Sequence, residues 1–141
     1  MIEKIIHNNI VIAIIIRKDY KQEGIQFLSP QEYSLQLGYM TRPKGYQISP
    51  HIHNSVQRNT VGTQEVLFIK NGKVRIDFYS FEQLLLESRQ LSAGDIILLA
   101  GAGHGIEVIQ EAEIIEVKNG PFIESADKDR FKGKRDTDDI C

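Results

Sequence analysis

The stretch EVLFIKNGKVRIDFY, residues 65–79, decides the fold of this chain. In its second half, every other residue is apolar: Val74, Ile76 and Phe78. Successive side chains of a strand point to opposite faces, so this pattern predicts a strand over 73–79 with these three residues in the core.

A second strand is predicted over 64–70, where EVLFIK contains the apolar run VLFI at 66–69. Asn71-Gly72 lies between the two strands and is typical of a two-residue hairpin, since both residues tolerate the positive φ of a type I′ turn. We therefore predict that 64–70 and 73–79 pair with each other as a hairpin.

Short apolar runs recur along the chain, separated by Gly, Pro, Asn or Asp, and this spacing is typical of an all-β sandwich or barrel. The further predicted strands are 10–17, 25–28, 33–40, 46–53, 84–91, 95–99, 105–109 and 113–118. The run LLLES at 84–88 would also suit the start of a short helix. We expect a single barrel domain over 1–124 and a charged, flexible C-terminal tail over 125–141.

Charge and hydropathy exclude several classes of function. The 141 residues carry 17 basic and 19 acidic side chains, a net charge of -2, which argues against nucleic-acid binding. The apolar run IVIAIII at 10–16 is far shorter than the roughly 18 residues of a membrane-spanning helix. A single cysteine, Cys141, cannot form a disulfide within the chain. We expect a cytoplasmic protein without a membrane or nucleic-acid partner.

His51 and His53 are candidate metal ligands. Their i, i+2 spacing in the predicted strand 46–53 places both imidazoles on one face, within reach of an ion about 2.1 Å away. Glu65 shares its face with two apolar residues of strand 64–70, so its carboxylate would lie at the mouth of an apolar interior. A nearby cation would offset the cost of burying it.

His104 is predicted to point inward, because it shares a face with Ile106 and Val108 on strand 105–109. Glu107 on the same strand points the other way and is kept as a substitute ligand. His104 lies between two glycines, so the alternative is a simple turn residue.

The spacing of these residues resembles the cupin superfamily. Gly45, His51-x-His53, Glu65 and Gly72 follow the order of its first motif, and Gly94-Asp95 with His104 resembles its second. The resemblance implies a cupin-type double-stranded β-helix, which is a jelly-roll barrel. It also implies that the chain commonly forms a dimer and that a metal is held by His51, His53, Glu65 and His104. Eleven residues separate His53 from Glu65, more than is usual, and Ala100 replaces a usual proline.

Three imidazoles and one carboxylate suit Fe, Mn, Ni, Co or Zn better than Ca or Mg. The leading hypothesis is a metal-dependent cupin enzyme, of oxygenase, isomerase or lyase type, acting on a small polar molecule such as a sugar or organic acid derivative. One alternative is a metal-independent nucleotide-sugar epimerase or isomerase with a His51 or His53 base and a Tyr39 or Tyr46 acid. The other is a cupin that binds or senses a small ligand.

Two further residues are candidate substrate contacts. Gln47 lies on the face of the two histidines, and Arg58 in the loop 54–64 could bind a carboxylate or phosphate if that loop is a lid. The same loop is equally well explained as a tolerated surface insertion. We also predict a homodimer, because Val66 and Phe68 on the other face of strand 64–70 need apolar cover.

Overall fold

The computed structural model describes residues 1–123 and 126–133; residues 124, 125 and 134–141, including Cys141, lie outside the described part. The protein is all-β, as predicted: about half of the described residues lie in strands, and none of them lies in a helix. The strands are β1 Ile2–His7, β2 Ile10–Ile16, β3 Gly24–Phe27, β4 Gly38–Thr41, β5 Glu65–Tyr79, β6 Leu85–Ser92, β7 Ile96–Leu99 and β8 Gly103–Lys118. Within the described ranges, no helix has the length and apolar character needed to cross a membrane.

The long strand β5 is the centre of the main sheet. The sheet order is β1-β2-β7-β5-β6, and β8 pairs with the other edge of β5. Both β6 and β7 lie on one edge of β5, where β6 pairs with its second half and β7 with its first. All of these pairings are antiparallel. Strands β3 and β4 form a separate hairpin.

The predicted hairpin at Asn71-Gly72 is wrong, because β5 runs through it without reversing. Gly72 has a φ of +82°, which suits a β-bulge as well as a turn. The core side changes from odd-numbered Leu67 and Ile69 to even-numbered positions after the bulge. An extra residue at the bulge produces this change of parity. The second half of β5 therefore pairs with β6 and β8 rather than with the first half of β5.

The sheet bends at the level of Gly72. A Cβ there would lie 2.0 Å from the carbonyl oxygen of Glu111 in β8, so only glycine allows the two strands to approach so closely. On the opposite edge, Gly94 N donates to Ile69 O at 2.7 Å in the turn between β6 and β7. The result is a strongly curled sheet that forms a half-barrel.

The core fills the concave side of this sheet. Val74, Ile76 and Phe78 are at most 1% exposed, which confirms their predicted place. They pack in one cluster with other buried apolar residues: Ile5, Ile12, Ala13, Ile15, Leu67, Ile69, Leu91, Ile97 and Leu99. We call this concave side the inner face.

Several predicted strand boundaries are corrected. Residues 42–64 contain no strand, so the predicted strand 46–53 is absent, and residues 42–62 are exposed throughout. The apolar residues Ile48 and Ile52 of this segment are exposed rather than packed on the sheet, and Pro50 lacks the N–H that a ladder requires. The predicted strands 105–109 and 113–118 are two halves of β8, 33–40 is reduced to Gly38–Thr41, and β1 was not predicted.

Asp95 lies 4% exposed in the turn between β6 and β7. Its carboxylate accepts hydrogen bonds from Lys18 N at 2.9 Å, Ser92 N at 2.9 Å and Arg17 Nη1 at 3.2 Å. Arg17 also pairs with Glu3 in β1. One buried carboxylate thus joins the end of β2 to the β6–β7 turn.

Residues 126–133, part of the predicted flexible tail, lie against the barrel, and we call them the C-terminal strap. At one end, the Thr63 hydroxyl donates to the carboxylate of Asp127. At the other, the Phe131 ring packs edge-on against Tyr79, with centroids 5.3 Å apart. The strap therefore contacts both ends of β5, at Thr63 just before the strand and at Tyr79, its last residue.

Candidate functional site

Glu65 is the first residue of β5 and lies on the inner face. It pairs with Leu99 of β7 on one side and Lys118 of β8 on the other. Its side chain is 15% exposed. The predicted position of this carboxylate, at the border between the apolar core and solvent, agrees with the structure.

His104, near the start of β8, pairs with Phe78, which is 1% exposed. It therefore points to the inner face, as its parity predicts, and its side chain is 30% exposed. Its Nε2 lies 3.8 Å from Oε2 of Glu65. That distance is within ion-pairing reach but longer than a direct hydrogen bond.

Glu65 and His104 line a cavity of about 800 Å³, a size that suits a small-molecule ligand. The cavity extends between the barrel and the C-terminal strap. Its remaining lining residues are Thr63, Tyr79, Ser80, Phe81, Gln83, Ala102, Gly103, Gly105, Asp127, Lys128, Asp129, Arg130 and Phe131.

The pKa of Glu65 is raised to about 7, mainly because burial disfavours its charged form. A hydrogen bond with the carboxyl group of Glu116, and the negative charge of that group, raise the pKa further. Lys118 and Lys128 oppose the shift. The carboxyl group of Glu65 is therefore partly protonated at neutral pH.

The pKa of His104 is lowered, again mainly by burial. Glu116 opposes this shift, whereas the positive charge of Lys128 adds to it. The imidazole is therefore mostly neutral at neutral pH, with one nitrogen free to accept a proton. The pair combines a proton donor and a proton acceptor in one cavity.

His51 and His53 are exposed residues of segment 42–64 and do not belong to a strand. Their ring centroids are 5.1 Å apart at an interplanar angle of 73°. Nδ1 of His51 is 2.7 Å from the carbonyl oxygen of Ser49, a contact that leaves its Nε2 available. The two imidazole rings therefore lie next to each other, as expected, although this segment does not form the predicted strand.

The four predicted ligands occur as two pairs, His51 with His53 and Glu65 with His104. Within residues 1–123 and 126–133, no three His, Cys, Asp or Glu side chains stand together so that they could hold one metal ion. This arrangement does not fit the expected four-ligand centre.

The other candidates do not border the cavity. Gln47 and Arg58 are exposed residues of segment 42–64. The Tyr39 ring packs against Tyr20, and Tyr46 lies under the guanidinium of Arg42. Glu107, the substitute ligand, points away and pairs with Arg75 at 2.7 Å.

Sequence reasoning missed Glu116, Lys128 and Tyr79. Glu116 is opposite Leu67 in the β5–β8 ladder, and this register is not readable from a single strand. Lys128 lies in a charged stretch whose composition is typical of a solvated tail. Tyr79 follows the core residue Phe78, so alternation places its ring away from the core, but the ring packs against Phe131 of the strap.

Comparisons with models of protein families, with curated proteins and with solved structures find no match to this chain.

Proposed function

We propose that this protein is a small β-barrel enzyme in which Glu65 and His104 move protons on a bound polar molecule. The observation that carries the proposal is the 3.8 Å approach of the two side chains inside a cavity of about 800 Å³. An isomerase or lyase acting beside a carbonyl group needs one group that removes a proton and one that returns it.

The two side chains suit these roles. Neutral His104 accepts a proton from a C–H or O–H group of the ligand, while the protonated carboxyl group of Glu65 donates one to a ligand oxygen. Glu116 supports the second role, because its hydrogen bond and negative charge favour the protonated form of Glu65. Glycine at position 103 lets Phe131 pack close to the start of β8, since an added Cβ would lie 2.9 Å from its ring.

Solvent deuterium exchange tests this proposal. The protein is incubated in D2O with a panel of hydroxy-carbonyl sugars and 2-oxo acids, and deuterium incorporation is followed by proton NMR. We expect incorporation into a member of the panel that falls by about 100-fold or more in Glu65→Gln and His104→Gln. Glu107→Gln, on the outer side of the same strand as His104, is the matched control. No incorporation by the wild type, or equal rates in all variants, contradicts the proposal.

A second candidate is a metal-dependent cupin enzyme that uses Fe, Mn, Ni, Co or Zn. Its support is the His51–His53 pair: the rings are adjacent, and the contact of Nδ1 with a carbonyl oxygen is the orientation common in metal-binding histidines. The candidate requires segment 42–64 to carry both rings to Glu65 and His104. Coordination would supply Lewis-acid or oxygen chemistry at the cavity.

Metal analysis separates the two candidates. The metal-dependent enzyme retains about one transition metal per chain, loses its exchange activity after chelation and loses the metal in the His51→Ala, His53→Ala double variant. The proton-transfer enzyme retains full activity after chelation, and the double variant behaves as wild type.

A further inference from the structure

We propose that the C-terminal strap binds an anionic group of the ligand, a carboxylate or phosphate, between Lys128 and Arg130 at the mouth of the cavity. This inference rests on the proposed function, since it names the class of molecule that the Glu65–His104 pair acts on. It also gives the predicted tail a role in substrate binding.

The strap is held at both ends, so its cations have a defined place. Asp127 is bound by the Thr63 hydroxyl, and Phe131 packs on Tyr79. Lys128 and Arg130 lie between these two contacts and line the cavity. A short segment fixed at both ends loses less conformational entropy when its central side chains bind a ligand than a free tail would lose.

Both cations lack a partner within the described part of the chain. Neither the Lys128 ammonium nor the Arg130 guanidinium forms an ion pair or hydrogen bond there. By contrast, Arg17, Arg75 and Arg89 each pair with a carboxylate. Two unpaired cations beside one cavity are well placed for an anion, and a guanidinium can bind a carboxylate or phosphate with two hydrogen bonds.

The raised pKa of Glu65 reduces the negative charge that a bound anion would meet deeper in the cavity. Lys128 lines the same cavity as Glu65 and His104, and its positive charge lowers the pKa of both groups. Two aspartates, Asp127 and Asp129, also line the cavity. The Thr63 hydroxyl fixes the position of Asp127 but leaves its charge in place, so an anion must lie nearer to Lys128 and Arg130 than to either aspartate. A ligand anchored at the strap would extend its reactive end toward Glu65 and His104.

The site is tested by titrating the full chain with inorganic phosphate and with succinate. Binding is measured from the NMR shifts of the His104 ring and by calorimetry. We expect saturable binding of at least one probe that weakens as salt is raised. Lys128→Ala and Arg130→Gln should each reduce the affinity about 10-fold, and Lys128→Glu should abolish binding. Lys128→Arg should retain most of the affinity.

Two matched controls locate the effect. Lys132→Ala removes a cation from the same strap that does not border the cavity, and Arg58→Gln removes the cation expected from the sequence. Both should bind as wild type. NMR contacts between the Phe131 and Tyr79 rings show in each variant that the strap is still docked.

The outcomes separate this inference from the proposed function. The strap site is overturned if Lys128→Ala and Arg130→Gln bind the probe with unchanged affinity. It is also overturned if Arg58→Gln or Lys132→Ala loses as much affinity as they do. Both conclusions hold even if Glu65→Gln abolishes deuterium exchange. Absence of any phosphate or succinate binding by the wild type also overturns it. If the strap variants lose binding while Glu65→Gln exchanges normally, the strap site stands and the proton-transfer function fails.

Discussion

Glu65 and His104 belong to opposite ends of the β5–β8 ladder, yet their side chains lie 3.8 Å apart. Glu65 is opposite Lys118 and His104 is opposite Phe78. A straight strand from residue 65 to residue 78 would span roughly 43 Å at 3.3 Å per residue. Glu65 is also opposite Leu99, only five positions before His104 in the chain. The chain between Leu99 and His104 can join the two ends of the ladder only if the sheet curls. The curl therefore brings Glu65 and His104 together.

Gly72 is predicted to be essential for this curl. Gly72→Ala combines a positive φ, which costs an alanine roughly 1–2 kcal/mol, with a clash against Glu111 O, so we expect a total loss of about 3 kcal/mol or more. Gly45 has a similar φ of +85° but no atom within 4 Å of an added Cβ. Gly45→Ala should therefore cost only the roughly 1–2 kcal/mol of the positive φ. Urea unfolding measures both variants, and equal losses would contradict the bulge geometry.

Asp95 should contribute strongly to stability. Asp95→Ala leaves two backbone N–H groups without their acceptor and removes one of the partners of Arg17, so we expect a loss of about 2–4 kcal/mol. Glu113→Ala removes an exposed carboxylate that pairs with Lys70 at 3.2 Å and should cost less than about 1 kcal/mol. The free energies of unfolding in urea compare the two. A small effect of Asp95→Ala would show that Lys18 and Ser92 find other partners.

The raised pKa of Glu65 predicts a pH dependence of stability. Between pH 4.5 and about 7, the folded state holds a proton on Glu65 that the unfolded state releases. The contribution of Glu65 to stability is therefore greatest below pH 4.5 and is lost as the pH rises toward 7. Glu65→Gln removes this term, so the variant should gain stability relative to wild type across that window. Parallel curves of unfolding free energy against pH would count against the shift.

The predicted homodimer should form through the outer face of β5 and β8. Val66 is opposite Val117 and Phe68 is opposite Ile115, and these four side chains form one apolar patch on the convex side. Val117 is 56% exposed, and β8 pairs with β5 alone among the described strands. A second copy of this strand can thus cover the patch and extend the sheet.

Val117→Lys should shift the protein to monomers, as measured by light scattering after gel filtration. Val108→Lys is the matched control, because Val108 is also 56% exposed but lies on the inner face of the same strand. A monomeric wild type at micromolar concentration, or dissociation by both substitutions, would argue against this interface.

Individual residues show how far sequence reasoning reached. The parity of Val74, Ile76 and Phe78 predicted their burial, and the parity of His104 predicted its direction, because alternation is a local property of a strand. Asn71-Gly72 misled the prediction because a hairpin and a bulge both use positive φ. His51 and His53 were assigned to strand 46–53, but segment 42–64 contains no strand.

The sequence by itself determined the all-β class, most strands of the main sheet, the core faces and two members of the site, since each follows from local alternation. Only the tertiary structure decided which strands pair, that the ends of β5 meet, and that Glu116 and Lys128 join Glu65 and His104. These contacts depend on register and curvature. Both arise from long-range hydrogen bonds and from the close approach of Gly72 to Glu111, and no local pattern encodes them.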